Sequence, residues 1–153
     1  MKKILIAVDD SKGSRAAIDT FTALFSCARP ETVVLLYVEK IEGKSIMDDM
    51  LGMAELSTLK EELQGTKYQE ALDKKARTVL EHYRKELAGR SVTGIKTVVK
   101  EGHPSDEILE TAKEEGVEMI IVGSRGRRQH SLMMGSVSRE VANQAGIAVL
   151  IAR

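Results

Sequence analysis

The 153-residue sequence has little cysteine, proline or aromatic residue, and it has no excess charge of either sign. Its single cysteine, Cys27, excludes a disulfide framework within the chain. Basic and acidic residues number 23 each, so no general electrostatic field favours nucleic acid or an acidic membrane surface. No apolar run approaches a membrane span, and the first one, residues 3–8, is too short for a signal-peptide core. These absences predict one cytoplasmic domain over residues 1–153, long enough for one hydrophobic core.

Five short segments rich in valine, isoleucine and leucine predict β-strands. They cover residues 4–8, 33–38, 95–99, 119–122 and 147–152. Most of these runs are nearly continuous in apolar residues, without the alternation of a strand that has one wet face. This pattern is typical of a parallel sheet that is covered on both faces.

Helical patterns lie between the predicted strands, at residues 13–28, 68–87, 105–113 and 136–144. Pro104 and the acidic residues after it favour a helix start, and Gly116 favours its end. The first helix would contain Cys27 as a buried thiol, since free cysteine is usually packed inside. Strands that alternate with helices predict a doubly wound α/β domain with a parallel sheet.

Two predicted strands end in chemically unusual sequences. The first is followed by Asp9 and Asp10, and the fourth by Gly123-Ser124-Arg125-Gly126. In open parallel sheets, ligands bind beyond the carboxyl ends of the strands, at the point where the strand order reverses. If these two strands are neighbours, both clusters face one crevice.

Residues 123–135, the glycine loop, have two readings. Gly123 and Gly126 let a ligand approach the main chain, and Gly135-Ser136 precedes a helix whose first amides attract an anion. Ser136 and Ser138 would then donate to phosphate oxygens, or they would simply cap the helix. In the second reading the loop is an ordinary solvated connection. Spacing alone leaves both open.

Familiar nucleotide motifs and catalytic groups are missing. The chain contains neither GxxxxGK[ST] nor a GxGxxG after the first strand, which argues against a conventional ATPase or dehydrogenase. No nucleophile has an adjacent base, so any ATP hydrolysis is expected to be slow. No spacing of histidine, cysteine or carboxylates suggests a preformed metal site.

Along almost its whole length the chain resembles the universal stress proteins. The resemblance rests on the first strand with Asp9-Asp10-Ser11, on Gly102-His103-Pro104, and on the sequence that ends in Gly123-Ser124-Arg125-Gly126. The ATP-binding branch of that family carries G-x2-G-x9-G-[ST], whereas here eight residues, 127–134, separate Gly126 from Gly135. The resemblance implies an adenine nucleotide alpha hydrolase-like fold with strand order 3-2-1-4-5.

The resemblance also implies a function and a set of binding residues. It implies a cytoplasmic stress-response protein that binds ATP, as ATP or Mg-ATP, as a switch for partner interaction, and that forms a homodimer through its last strand. Asp9 would meet the ribose or adenine, Val38 the base, and the glycine loop the phosphates. The residues carried over are Asp9, Val38, Val122, Gly123, Arg125, Gly126, Gly135, Ser136 and Val137.

Two features favour an alternative within the same family. The glycine loop is one residue short, and Asp10 adds a negative charge that is unfavourable near a triphosphate unless a divalent ion lies between them. The alternative is a dimeric interaction protein that does not depend on nucleotide.

Overall fold

A computed structural model of the protein describes residues 1–40, 67–124 and 134–153. Within these ranges strands and helices alternate as the sequence predicts. The elements are β1 (Lys3–Ala7), α1 (Lys12–Leu24), β2 (Thr32–Glu39), α2 (Lys67–Gly89), β3 (Ile95–Glu101), α3 (Pro104–Glu115), β4 (Met119–Gly123), α4 (Ser136–Gln144) and β5 (Ala148–Ala152).

The five strands form one parallel sheet in the order β3-β2-β1-β4-β5. β1 is central and pairs with β2 on one side and β4 on the other. The sheet and its order confirm the predicted fold class. Because β1 and β4 are neighbours, the two unusual strand ends lie side by side.

The sheet is buried on both faces by helices. On the first face, α1 and α2 contribute Ile18, Phe21, Leu80 and Leu87 to a cluster with β1 and β2, which we call the first core cluster. On the second face, Ile108 of α3 and Val141 of α4 pack with side chains of β1, β2 and β4, and these form the second core cluster. Successive strand residues point to opposite faces, so continuous apolar runs can serve both clusters.

α2 is amphipathic along its length. Its buried residues recur every three or four positions and are Ala76, Leu80, Tyr83 and Leu87. The helical period in the sequence predicts a buried stripe of Tyr68, Ala71, Leu72, Ala76, Val79, Tyr83 and Leu87. The structure differs from this prediction at Ala71, which is exposed, and at Leu80, which is outside the predicted stripe but buried. Charged residues occupy the rest of the helix. None of the helices in the three described ranges is long and apolar enough to cross a membrane.

The prediction that Cys27 is a buried helical thiol is wrong. α1 ends at Leu24, four residues before the predicted end, and Phe25 is its C-cap. Cys27 therefore lies in the connection to β2 and is exposed. The apolar residues after Phe21 continue a helical pattern in sequence, but only Phe25 among them packs against the first core cluster, while Ala23, Leu24 and Cys27 are exposed. Leu24 is accordingly 60% exposed.

β3 and β5 are the edge strands of the sheet. β3 is two residues longer than predicted and is only partly buried, with Val99 44% exposed. β5 is half-buried over most of its length, and Ile147 just before it is 38% exposed. An edge strand has one neighbour instead of two, so its apolar run is less covered than the same run in the centre.

Candidate functional site

The carboxyl ends of β1 and β4 meet at the centre of the sheet, where Ile6 of β1 is in register with Ile121 of β4. From β1 the chain continues into α1 on the first face, whereas α4, which follows the glycine loop after β4, packs on the second face. This is a topological switch point, the place where open α/β sheets bind ligands.

Asp9 lies just beyond β1 and is held by residues at the start of α1. Its Oδ1 accepts a hydrogen bond from the Ser11 amide at 2.9 Å and another from the Ser14 hydroxyl at 2.6 Å. The Asp9 amide donates to Ser14 Oγ at 2.7 Å. These bonds fix the carboxylate through Oδ1, so that Oδ2 can accept a hydrogen bond from a ligand hydroxyl or amine.

Asp10 pairs with Lys75 of α2, with 2.7 Å between Lys75 Nζ and Asp10 Oδ2. Both side chains are more than a third exposed, so the pair contributes little to stability, roughly 0–1 kcal/mol. Its effect on local charge is larger. The sequence suggested that only a divalent ion would offset Asp10, but Lys75 offsets this charge as well.

The two ends of the glycine loop are joined by hydrogen bonds. The Gly135 amide donates to the Ser124 carbonyl at 2.8 Å, and the Ser124 amide donates to the Ala152 carbonyl of β5 at 2.6 Å. Ser138, which is buried, donates to the carbonyls of Gly135 at 3.0 Å and Ser124 at 3.4 Å. The sequence left open whether Ser138 binds phosphate or serves the helix. Its hydroxyl stabilises the base of the loop.

The first turn of α4 begins at this closed base. Gly135 is the N-cap residue and, having no side chain, makes no side-chain capping hydrogen bond. The first helical bond runs from the Arg139 amide to the Gly135 carbonyl at 3.1 Å. The amides of Ser136, Val137 and Ser138 precede that bond and have no partner within the helix. An exposed Ser136 and these amides form a surface that favours an anion.

Gly123 is required by packing as well as by any ligand. A Cβ at this position would lie 2.4 Å from the carbonyl carbon of Gly13 and 2.6 Å from its Cα. These are main-chain atoms at the start of α1, so they cannot turn away as a flexible side chain would. The close approach that the sequence attributed to a ligand is therefore made, within the protein, by α1.

Three other residues carried over from the resemblance share the second face of the sheet. Val122 is buried, and Val38 and Val137 are half-buried against the second core cluster. They would present an apolar surface below the crevice. Arg125 and Gly126 lie outside the described residues.

Sequence reasoning missed Glu39, the last residue of β2. Glu39 is only 3% exposed, and its Oε1 has no hydrogen-bond partner among the described residues. Burial raises the pKa of this carboxyl, and the nearby charges of Asp73 and Glu101 raise the pKa further, while Gln69 opposes the shift with a 3.4 Å hydrogen bond. A charged residue directly after the apolar run was visible in the sequence. Its burial under α2 was not.

Among the side chains of residues 1–40, 67–124 and 134–153, no three of histidine, cysteine, aspartate and glutamate converge closely enough to hold a metal ion. In this part of the chain, the switch point thus offers one fixed carboxylate, one uncapped helix start and an apolar floor. That combination suits a ligand with an anionic end and a hydroxylated or aromatic end.

Comparison with known sequences identifies relatives over the whole chain. The model of the universal stress protein family matches residues 1–153. Universal stress protein MJ0577 of Methanocaldococcus jannaschii is 31% identical, and the match covers 99% of this chain and 94% of that protein. Universal stress protein YxiE of Bacillus subtilis is 30% identical, and the match covers 99% of this chain and 98% of that protein.

Solved structures agree with the sequence comparison. The structure of MJ0577 superimposes with a TM-score of 0.70 at 28% identity and covers 99% of this chain and 94% of its own. A universal stress protein in complex with cAMP gives 0.62 at 18% identity, covering 99% and 96%. A family protein of Arabidopsis thaliana with AMP bound gives 0.67 at 20%, covering 99% and 91%. At 18% and 20% identity, the likeness to the cAMP and AMP complexes shows the fold alone. The chain belongs to the universal stress protein family.

Proposed function

We propose that the protein binds ATP in the crevice between the ends of β1 and β4 and changes its partner surface with occupancy, as a cytoplasmic stress-response switch. The observation that carries this proposal is the first turn of α4, whose N-cap residue, Gly135, supplies no side-chain cap. That turn is fastened to the end of β4 by the 2.8 Å bond from Gly135 to Ser124. Ligand-bound structures of two proteins with this fold, one with cAMP and one with AMP, support an adenine nucleotide.

The phosphate groups would lie against the first turn of α4. An anion at a helix start gains about 0.3–2 kcal/mol from the helix dipole, and the free amides add hydrogen bonds. Gly135, Ser136 and Val137 would supply these amides, with Arg125 and Gly126 of the glycine loop closing around the phosphates. The sequence lacks the GxxxxGK[ST] motif of conventional ATPases, so we expect the site to bind ATP with at most slow turnover.

The nucleoside would lie across the end of β1. Asp9 presents Oδ2 for a ribose hydroxyl, while its Oδ1 is occupied by Ser11 and Ser14. Val38 would contact the base at the end of β2. Mg2+ would accompany the triphosphate as it does in solution. The pairing of Asp10 with Lys75 means that the protein does not need the ion to offset the Asp10 charge.

The test is a titration of nucleotide-free protein. The protein is denatured and refolded or dialysed until no nucleotide is released, and then titrated calorimetrically with Mg-ATP, with ATP in EDTA, and with adenosine. We expect saturable binding of Mg-ATP. If the stripped protein gives no heat and no nucleotide was released on denaturation, the proposal is wrong.

Asp9→Asn is the matched variant for the nucleoside end. Asparagine keeps Oδ1 as an acceptor for Ser11 and Ser14 but replaces the second oxygen with an amide donor. We expect affinity for both ATP and adenosine to fall about tenfold, the effect of losing one charge-assisted hydrogen bond of about 1.5 kcal/mol, with little change in melting temperature. Equal binding of adenosine by both proteins would refute the role of Asp9.

A second candidate function follows from β5. This strand is an edge of the sheet, half-buried, and preceded by the exposed Ile147. A homodimer through β5 would cover it, and such a dimer could act without nucleotide. Ile147→Lys should then shift the protein to monomer in sedimentation, whereas Val99→Lys on the opposite edge should not. A wild-type protein that is monomeric at all concentrations tested would reject the dimer.

A further inference from the structure

α3 and α4 are linked by a side-chain hydrogen bond on the second face of the sheet. The Ser105 hydroxyl donates to Glu140 Oε2 at 2.5 Å. Ser105 is the second residue of α3 and is 1% exposed, and Glu140 is a half-buried residue in the middle of α4. A bond from a hydroxyl to a carboxylate is among the stronger hydrogen bonds in proteins, more so when it is shielded from water.

Ser105 makes a second side-chain contact, since His103 Nδ1 lies 2.9 Å from Ser105 Oγ. Because the hydroxyl hydrogen is donated to Glu140, a lone pair of Ser105 Oγ is left to accept from His103 Nδ1 in the tautomer that carries a hydrogen there. The Glu140 carboxylate is thereby held at the amino-terminal end of α3, where the helix dipole favours a negative charge. The chain of bonds connects the segment after β3 with α4.

α4 depends on such contacts for its position. It has nine residues, fewer than the roughly 12–15 that an isolated helix needs in water. Val141 anchors it in the second core cluster, and Ser138 ties it to the base of the glycine loop. Among the side-chain hydrogen bonds of the described residues, the one made by Glu140 is the link to α3. Together these three contacts restrain the helix from sliding and from rotating about its axis.

We propose that Ser105 is a positioning residue which, through Glu140, fixes the orientation of the first turn of α4 and so the strength with which that turn holds a phosphate group. Glu140 stands four residues after Ser136 and therefore on the same face of the helix. A rotation that follows loss of the Glu140 bond displaces the Ser136 end. The phosphate part of this inference rests on the proposed function, whereas the orientation of the turn does not.

Ser105→Ala removes the hydroxyl, and Thr111→Val is the matched control. Thr111 is a buried residue of the same helix whose Oγ1 has no hydrogen-bond partner among the described residues, so its loss should change nothing. Each protein is titrated with Mg-ATP and with adenosine. We expect Ser105→Ala to weaken Mg-ATP about three- to thirtyfold, the usual size of a coupling through a packed contact, and to leave adenosine unchanged. Equal losses for both ligands, or no loss, would overturn the inference.

Amide hydrogen exchange provides a second readout that needs no nucleotide. The Arg139 amide closes the first turn of α4 on Gly135, and its exchange reports how well that turn is held. Exchange at Arg139 should be faster in Ser105→Ala and unchanged in Thr111→Val. Glu140→Gln keeps an acceptor oxygen but a weaker bond, so it should give a smaller increase. Wild-type exchange in Glu140→Gln and Ser105→Ala would overturn the inference, even if Ser105→Ala binds ATP poorly.

These measurements separate two kinds of failure. A wild-type protein that binds neither ligand rejects the proposed function, while the exchange data still decide whether Ser105 positions α4. A wild-type protein that binds Mg-ATP, together with a Ser105→Ala protein that keeps the same ratio of ATP to adenosine affinity, rejects only the positioning role. If Ser105→Ala does not fold, the exchange rate of Arg139 in Glu140→Gln decides the question from the other end of the bond.

Discussion

The change that most directly tests the candidate phosphate site is Gly135→Asp. Gly135 is the N-cap of α4, and its φ of −62° and ψ of 155° are open to any residue. The hydrogen bond from the Gly135 amide to the Ser124 carbonyl does not involve the side chain, so it would remain. An aspartate here would accept hydrogen bonds from the amides of the first turn, which have no partner within the helix and which we assign to phosphate. Gly135→Asn supplies the same cap without the charge.

Each of the two variants should be more stable than the wild type and should bind Mg-ATP more weakly. A side-chain cap in place of glycine adds a few tenths of a kcal/mol, and the aspartate charge adds about 0.3–1 kcal/mol through the helix dipole. For a chain of this size, the melting temperature of Gly135→Asp should rise by about 1–5 °C. The same carboxylate would repel a phosphate about 4 Å away by roughly 1 kcal/mol in a water-like medium, and by more where water is excluded.

Loss of the amides and repulsion together predict that Gly135→Asp binds Mg-ATP at least about tenfold more weakly, with a smaller loss in Gly135→Asn. Thermal unfolding without nucleotide and calorimetric titration measure the two effects on the same samples. A Gly135→Asp protein that is more stable than the wild type and yet binds Mg-ATP equally well would refute the phosphate site. A less stable one would refute the capping geometry.

Two further predictions concern stability. Gly123→Ala should lower the free energy of unfolding by about 1–3 kcal/mol and the melting temperature by about 2–12 °C, because the new Cβ would overlap the main chain of Gly13. Gly146→Ala is the control, since no atom lies within 4 Å of its new Cβ, and it should melt as the wild type does. The raised pKa of Glu39 means that the folded state holds its proton to higher pH than the unfolded state. That contribution to stability is complete below the ordinary value of 4.5 and is lost as pH rises through the raised pKa, by about 1.4 kcal/mol for each unit of the shift. Glu39→Gln should remove this loss, so in denaturant melts it should be more stable than the wild type at pH 8. This difference in stability should shrink towards pH 4. The same pH dependence of stability in both proteins would show that Glu39 ionises freely.

Local sequence patterns were sufficient for most of the fold. The apolar runs placed all five strands, and Pro104 and Gly116 marked the ends of α3 to within a residue, with Gly116 in the left-handed conformation that favours glycine. The strand order came from the resemblance to the universal stress proteins, and the structure confirms it. The error at Cys27 arose because a helical pattern in the sequence does not show where the covering surface of the sheet ends.

The candidate site divides in the same way. Asp9, Gly135 and Ser136 follow from their places beside a strand end and a helix start, which are local features. The sequence also offered Ser138 as a phosphate donor or a cap, and it read Gly123 either as a place where a ligand approaches the main chain or as part of a solvated connection. In the structure the Ser138 hydroxyl donates to the carbonyls at the base of the glycine loop, and α1 packs against Gly123. Their binding roles, like those of Arg125 and Gly126, remain predictions for the titrations above.

The sequence by itself determined which segments are strands and helices, and it predicted that two unusual strand ends carry the binding chemistry. Hydrophobic period, proline, glycine and capping residues act over a few positions, so they are visible in a linear reading. Only the tertiary structure decided that Lys75 offsets Asp10, that Glu39 is buried, and that Ser105 holds Glu140. Each of these contacts joins residues far apart in the chain, and it exists only because packing of both faces of the sheet brings their helices and strands together.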